Sequence, residues 1–522
     1  MFFRFCVFMS LALLIISCKD NTEEKEANKT DKKTITEKAQ TDKSNSVNGE
    51  SEKLPSPLGP LQKPRPQCRA KSVEWPETDK QLANVSEILP PKIKSLKALY
   101  NLVVRRSPSK EAERVGLIKQ YSRLPLTDYV KAQGGCKKYW LNLGKNRWVC
   151  GEKLNPDSRD ILLRKQPIIP RRRITPNRYG LVKNDNAPYF RNKEEMFAGK
   201  VYKTYGRGDM ISLKDMRSEG GKGYWVTGKK FLIWDKDILG YRVPRYHGVN
   251  LRKLNINLPV AIIRAKSSGA KVYKFPGGPQ KKGVEPLKHY SVRAIYDKKR
   301  VQLSGKKLET LFYRVKEGWI YARRVLSAWP GNPPPGLKDC EKWIEINIKM
   351  QTMVAYEGNE PVYMAPISSG NKRYPTKYGI FRTWLKKAND DMTSSSLAKE
   401  QYRVEEVPWA VFFFFGQALH GAYWHSNFGN RKSHGCVNLT PIDARWIYEW
   451  VEPNVPQGWL EVQVDEKSPL PGTIVVVRHK YKHEVPFYRY ARKLAPEDEV
   501  ERLDNIRKAR MKKKTLRMLK NK

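Results

Sequence analysis

From Leu96 onward the apolar residues come in short runs cut by glycine, proline and polar turns, and this limits the fold more than any other feature. Runs of that length suit strands. A helix needs an apolar stripe at 3.6-residue spacing over ten residues or more. Ala98-Leu99-Tyr100-Asn101-Leu102-Val103-Val104-Arg105 is followed by Gly116-Leu117-Ile118, Tyr139-Trp140-Leu141 and Trp148-Val149-Cys150. Further on, Trp343-Ile344-Glu345-Ile346-Asn347-Ile348 alternates as a half-buried strand does. A turn at Glu357-Gly358-Asn359-Glu360 leads into Pro361-Val362-Tyr363-Met364, which predicts a hairpin. Thr473-Ile474-Val475-Val476-Val477 reads as the last strand, and Phe412-Phe413-Phe414-Phe415 as a buried one. Trp446 and Trp450, at i and i+4 after Asp443-Ala444, predict a helix with an aromatic core face. The expected class is mainly β, with a few helices.

Trp329-Pro330-Gly331-Asn332-Pro333-Pro334-Pro335-Gly336 is a linker and divides the chain. Before it, residues 96–155 read as a small barrel and resemble a bacterial SH3-like domain, with an early Arg106-Ser107-Pro108-Ser109 and a late Trp148-Val149. Candidate copies follow at 175–245, with Tyr179-Gly180-Leu181-Val182 and Phe231-Leu232-Ile233, and at 258–328, closing on Gly318-Trp319-Ile320. The competing reading is one irregular β-rich region.

Lysine plus arginine number 100 against 53 acids, a formal net charge of +47, which favours anionic partners. Nucleic acid is excluded by the N-terminus, which reads as an export signal over 1–18. Arg4 precedes an apolar run from Phe5 that is too short to span a bilayer. Ile15-Ile16-Ser17-Cys18 resembles the lipobox of bacterial lipoproteins. The resemblance implies an acylated Cys18, a membrane anchor and a periplasmic location, with Lys19 pointing to the outer rather than the inner membrane. Residues 19–75 are nearly free of apolar side chains at first and then proline-rich, as a disordered tether is. Residues 481–522 form a basic tail whose charge serves solubility or adhesion to an anionic wall polymer or lipid.

Seven cysteines are present. With Cys6 in the signal and Cys18 acylated, five remain, and an odd number leaves one thiol unpaired. Cys136 and Cys150 flank a predicted hairpin and can pair; Cys68 and Cys340 are further candidates.

Three of seven histidines, His420, His425 and His434, fall just ahead of Cys436. A cysteine attacks acyl carbonyls as a thiolate, so it needs a base, and a neighbouring imidazole is one. Glycine beside it lets a substrate approach and exposes backbone N–H groups to a developing oxyanion. These ligand types also suit zinc, but the spacings are not those of a zinc knuckle, so neither a metal nor a cofactor is expected. His425 reads as a packed or surface histidine.

Ser433-His434-Gly435-Cys436-Val437-Asn438, preceded by His420-Gly421, resembles the signature of the L,D-transpeptidases with a YkuD-like catalytic domain. The resemblance spans about 343–480, and the chain has Thr376-Lys377-Tyr378-Gly379 where the family has a proline after the threonine. It implies a β-sandwich catalytic domain that acts on peptidoglycan stem peptides. It also implies roles: Cys436 as nucleophile, His420 as proton donor and acceptor, and Gly421 as the carbonyl that orients the imidazole. His434 and Gly435 flank the nucleophile. Gly416, Trp424, Ser433 and Asn438 line or brace the substrate site, and Asp390-Asp391-Met392-Thr393 belongs to a lid. Twelve residues separate His420 from Ser433, a short loop. The implied reaction is acyl transfer through a thioester, from a tetrapeptide stem to an amine. Its alternatives are an L,D-carboxypeptidase using the same residues and an inert wall-binding scaffold.

Overall fold

The computed structural model describes residues 82–265, 268–394, 402–464, 471–479, 486–498, 501–502 and 505. The export signal, the tether, Cys18, Cys68 and most of the basic tail lie outside the described residues. Everything below concerns the compact unit that starts at Pro55. It is mainly β, and among the described residues no helix is long and apolar enough to cross a membrane.

The C-terminal part is built on two sheets. The first runs Val249–Asn250, Glu360–Pro366, Thr352–Glu357, Lys342–Asn347, Ile474–Arg478, Gly379–Arg382. The second carries Trp459–Gln463, Leu385–Thr393, Arg403–Phe414, Gln417–Gly421 and Val437–Leu439 as successive neighbours. Alternation decides which side chains meet between them. Ile344 and Ile346 of the first sheet face Trp409, Val411, Phe413, Leu419 and Val437 of the second in one core. Trp343, Ile474 and Val476 point the opposite way, into a core shared with Val260, Ile262 and Leu326. Buried on both faces, Ile474–Arg478 is therefore apolar at nearly every position.

The helix Pro441–Trp450 closes the sandwich core through Ala444, Ile447 and Tyr448. Thr440 is its N-cap, accepting from the Asp443 N–H at 3.1 Å, and Pro441 stands where no amide hydrogen is needed. The buried Asp443 carboxylate accepts from the Thr440 hydroxyl, the Tyr363 hydroxyl and the Gly248 N–H at 2.7–2.8 Å. Beyond the other end, the buried Lys386 ammonium donates to the carbonyls of Val451 and Pro453 at 2.7 and 2.8 Å. Burial lowers its pKa to about 7. Trp446 and Trp450 are half-buried rather than core, stacked on each other and on Tyr363. Phe415 is 58% exposed, because the strand ends at Phe414 and Phe415 turns with φ +39°.

The N-terminal strands form three groups, over Ser95–Ala98 to Leu154–Asp157, Arg178–Val182 to Ile238–Gly240, and Val260–Ile263 to Val325–Ala328. Each closes alike: a strand, one short 3₁₀ turn, then a strand paired antiparallel with the first of its group. Each has its own core. Cys136 and Cys150 are disulfide-bonded in the first group, and Cys340 is also disulfide-bonded.

All three groups rest on the C-terminal part. Arg114–Ile118 pairs antiparallel with Trp459–Gln463, and Arg114 meets Glu461 at 2.9 Å. A Cβ on Gly116 would stand 2.4 Å from the Trp459 ring and 2.7 Å from the Glu461 carbonyl, so only glycine permits this approach. The second group pairs Met210 with Val404 and stacks Tyr179 on Tyr423, centroids 3.4 Å apart. The third donates from Arg264 to the Gly429 carbonyl at 2.7 Å and from the Tyr290 hydroxyl to that of Ser426 at 3.2 Å.

The disulfide spans 14 residues, and closing a loop of about that size is worth roughly 3 kcal/mol in the chain-entropy account. The double substitution Cys136→Ser, Cys150→Ser is expected to speed amide exchange in Cys136–Asn142 by about two powers of ten. The sandwich core should stay protected. Unchanged exchange in that strand would contradict the expectation.

Candidate active site

Cys436 enters the strand Val437–Leu439, which runs parallel to Gln417–Gly421 with Leu419 opposite Val437 and His420 opposite Asn438. Paired residues share a face, and faces alternate along a strand. Leu419 and Val437 point into the sandwich core. The opposite face therefore takes Ala418 and His420 from one strand, Cys436 and Asn438 from the other. Cys436 stands diagonal to His420, a relation that spans about 7–8 Å between Cα atoms and lies within reach of two side chains. The thiol packs against the cluster of Ala410, Phe412 and Ala418.

The turn ahead of Cys436 is tied from several sides. Gly435 has φ +116°, and a Cβ there would stand 2.8 Å from the Gln417 amide nitrogen, so the position requires glycine. The Ser433 hydroxyl donates to the Cys436 carbonyl and accepts from the Gly435 N–H at 3.2 Å. The Thr376 hydroxyl accepts from the Gly370 N–H at 2.8 Å and donates to the Gly435 carbonyl at 2.9 Å. Gln417 accepts from the Lys377 N–H at 2.9 Å. Thr376 and Gln417 are site residues that motif reading missed. Hydroxyl and amide side chains beside a glycine turn were the available signal.

The Cys436 thiol is half-buried and faces the Gly416 carbonyl at 3.6 Å. Burial pushes its pKa up to about 11, eased by a backbone hydrogen bond with Ala418 and reinforced by the Asp390 carboxylate. His420 is 2% exposed and lies under the Trp424 ring, centroids 5.7 Å apart. Burial lowers its pKa to about 4, opposed by the Gly421 carbonyl. Nδ1 of His420 is sealed from solvent and has no well-formed hydrogen bond, so that carbonyl orients the ring only loosely.

The remaining predicted residues divide. Ser433 braces the loop. Asn438 is buried against His425, not open to a substrate. His425 accepts from the Asn427 N–H on Nδ1 at 3.3 Å, so Nε2 carries its proton. The Asn438 amide lies 3.0 Å from Nε2, and its oxygen otherwise lacks a partner; with that oxygen turned toward the ring, it accepts the Nε2 proton. Burial, with Lys432, lowers the pKa of His425 to about 3, so it stays neutral. His434 is exposed, between the rings of Tyr374 and Tyr402 at 4.7 and 4.8 Å. Asp390 and Met392 lie on the strand Leu385–Thr393, with Met392 packed against the Cys436 cluster.

Thiol and imidazole stand about seven pKa units apart, roughly 9 kcal/mol for moving the proton from one to the other. Two charges 4 Å apart recover only about 4 kcal/mol in such surroundings. The resting pair is therefore neutral. Below its pKa the thiolate fraction grows with pH. Alkylation of Cys436 by iodoacetamide should rise about tenfold per pH unit from pH 7 to pH 10. A plateau below pH 8 would instead mean a preformed ion pair.

Residues 341–477 match a family model described as the L,D-transpeptidase catalytic domain, YkuD. YciB of Bacillus subtilis (strain 168), an L,D-transpeptidase by name, is 28% identical over an alignment of 153 residues that covers 24% of this chain and 68% of that one. L,D-transpeptidase 2 of Mycobacterium tuberculosis (strain CDC 1551 / Oshkosh) is 31% identical over 105 residues, 18% of this chain and 24% of that one. Among solved structures, an L,D-transpeptidase from Mycobacterium smegmatis aligns at 23% identity and a TM-score of 0.22, covering 33% of this chain and 67% of its own. Residues 341–477 of the chain therefore match the L,D-transpeptidase catalytic domain, and relatives bearing that name share this stretch.

Proposed function

We propose that the chain is a cysteine-dependent L,D-transpeptidase acting on peptidoglycan stem peptides, with Cys436 as nucleophile and His420 as general base and acid. The observation that carries the reading is the ladder register. It sets a half-buried free thiol and a buried imidazole on one face, within the stretch that matches the catalytic domain. Because Nδ1 of His420 is sealed, Nε2 is the nitrogen left to exchange protons. As the thiol sulfur attacks the carbonyl of the L-to-D peptide bond, its proton passes to Nε2. Collapse of the tetrahedral intermediate breaks the C–N bond, and the imidazolium returns the proton to the departing D-alanine amine. A thioester remains. An acceptor amine then attacks it, gives its proton to His420, and the thiolate leaves and is reprotonated.

In the same reading Cys18 is an acyl anchor, the chain works outside the cytoplasm, and the three N-terminal groups are SH3-like modules that hold the wall. Their common closing pattern of strand, 3₁₀ turn and strand supports this.

The test is intact-protein mass spectrometry of the full chain mixed with a tetrapeptide-stem muropeptide. The expected result is a mass gain equal to the stem less D-alanine, absent from Cys436→Ala and slowed by about a hundredfold or more in His420→Ala. An adduct discharged only to water would make the chain an L,D-carboxypeptidase. No adduct and no free D-alanine would leave the wall-binding scaffold.

A further inference from the structure

Arg172, Arg173, Arg178, Arg242 and Arg245 come from two segments 60 to 70 residues apart and line one groove of about 500 Å³. All but the half-buried Arg173 are exposed. None of the five makes an ion pair with a described carboxylate. Two carboxylates hydrogen-bond to residues of the groove wall rather than to the arginines. Glu406 accepts from Asn177 at 2.7 Å and from Asn389 at 3.3 Å. Asp235 accepts from the Trp225 ring N–H at 2.6 Å. Five arginines thus border one cleft of the size that holds a small ligand, none of them in an ion pair with a described carboxylate, and the Arg178 guanidinium lies 6.0 Å over the Trp225 ring.

The groove is not all charge. Ile174, Trp225, Tyr241 and Val243 supply apolar wall between the arginines. Its floor connects to the candidate active site through three rings. Tyr179 lines the groove and stacks on Tyr423, Tyr423 meets Trp424 edge-on at 5.0 Å, and Trp424 lies over His420. Tyr241 and Val243 pack in the same cluster as Tyr402 and Trp424.

We infer that this groove binds a carboxylate-bearing peptide strand and is where the acyl acceptor docks. The inference rests on the acyl-transfer reading above. A guanidinium fork matches a carboxylate with two parallel hydrogen bonds, and alternating apolar wall suits a peptide more than a bare ion. An acceptor held there by its carboxylates lies across the Tyr179, Tyr423 and Trp424 rings from His420, the group that must take its amine proton. The groove is lined mostly by the two segments that flank the second strand group, outside residues 341–477.

The test uses the full chain. Binding is measured calorimetrically on the Cys436→Ala protein, which cannot turn over. The probes are a tripeptide-stem muropeptide with free carboxyl groups, the same compound with its carboxyls amidated, and inorganic phosphate. The free-acid form should bind. Amidation, or the pair Arg242→Ala with Arg245→Ala, should each weaken it about tenfold or more. The lysine pair at those two positions should restore part of the affinity. In the wild-type sequence the same arginine pair should raise the acceptor KM. Equal binding of acid and amide, indifference to the arginine pair, or tighter binding of phosphate than of the peptide would each overturn the inference. The two readings fail separately. Arginine-dependent binding without an acyl-enzyme sinks the activity and keeps the groove. An acyl-enzyme that discharges to acceptor independently of the arginines sinks the groove and keeps the activity.

Discussion

The parallel pairing of Gln417–Gly421 with Val437–Leu439 governs the rest of the site. It sends Leu419 and Val437 into the sandwich core, where removing either would open a cavity, and so leaves no freedom in the opposite face. A slip of one residue would turn His420 into the sandwich core and Leu419 toward the face of Cys436. The chemistry is thus held by the packing on the far side of the same strands. The positive φ of Gly435, the Ser433 staple and the Thr376 bridge add direction to a position that the ladder has already chosen.

Burial works against charge throughout this region. It raises the thiol and lowers both His420 and His425, so none of the three is ionised at rest. The two imidazoles are close in sequence but different in surroundings. His425 is bonded on both ring nitrogens, and it holds Asn438 and the loop in place. His420 has one sealed nitrogen and one free for exchange, beneath a tryptophan. In the proposed reading, the proton carrier is distinguished by what it leaves unbonded.

Much of this was legible in the chain. The alternation in Trp343-Ile344-Glu345-Ile346-Asn347-Ile348 and the Gly358-Asn359 turn read directly as strand and hairpin, because both depend on neighbours in sequence. The Ser433-His434-Gly435-Cys436 turn was equally local. What escaped depends on distant partners. Thr376 reaches Gly435, Arg264 reaches Gly429, and five scattered arginines share one groove only after the second strand group folds. Trp446 and Trp450 have the spacing of a core face. Periodicity does not reveal how much sheet lies above a helix, and here Tyr363 covers only part of them. The run of four phenylalanines looks uniform, but the backbone turns at the fourth.

The strand Arg114–Ile118 lies alongside Trp459–Gln463 and covers the outer rim of the second sheet. A protein cut at the proline-rich linker would therefore have a raw edge: unpaired amides and carbonyls beside an uncovered Trp459, which now sits in the first group's core. Such an edge invites another copy to complete it. The N-terminal segment is in this sense a chaperone built into the same polypeptide. Aggregation of a trimmed chain would report the missing strand and carry no information about the chemistry proposed for Cys436.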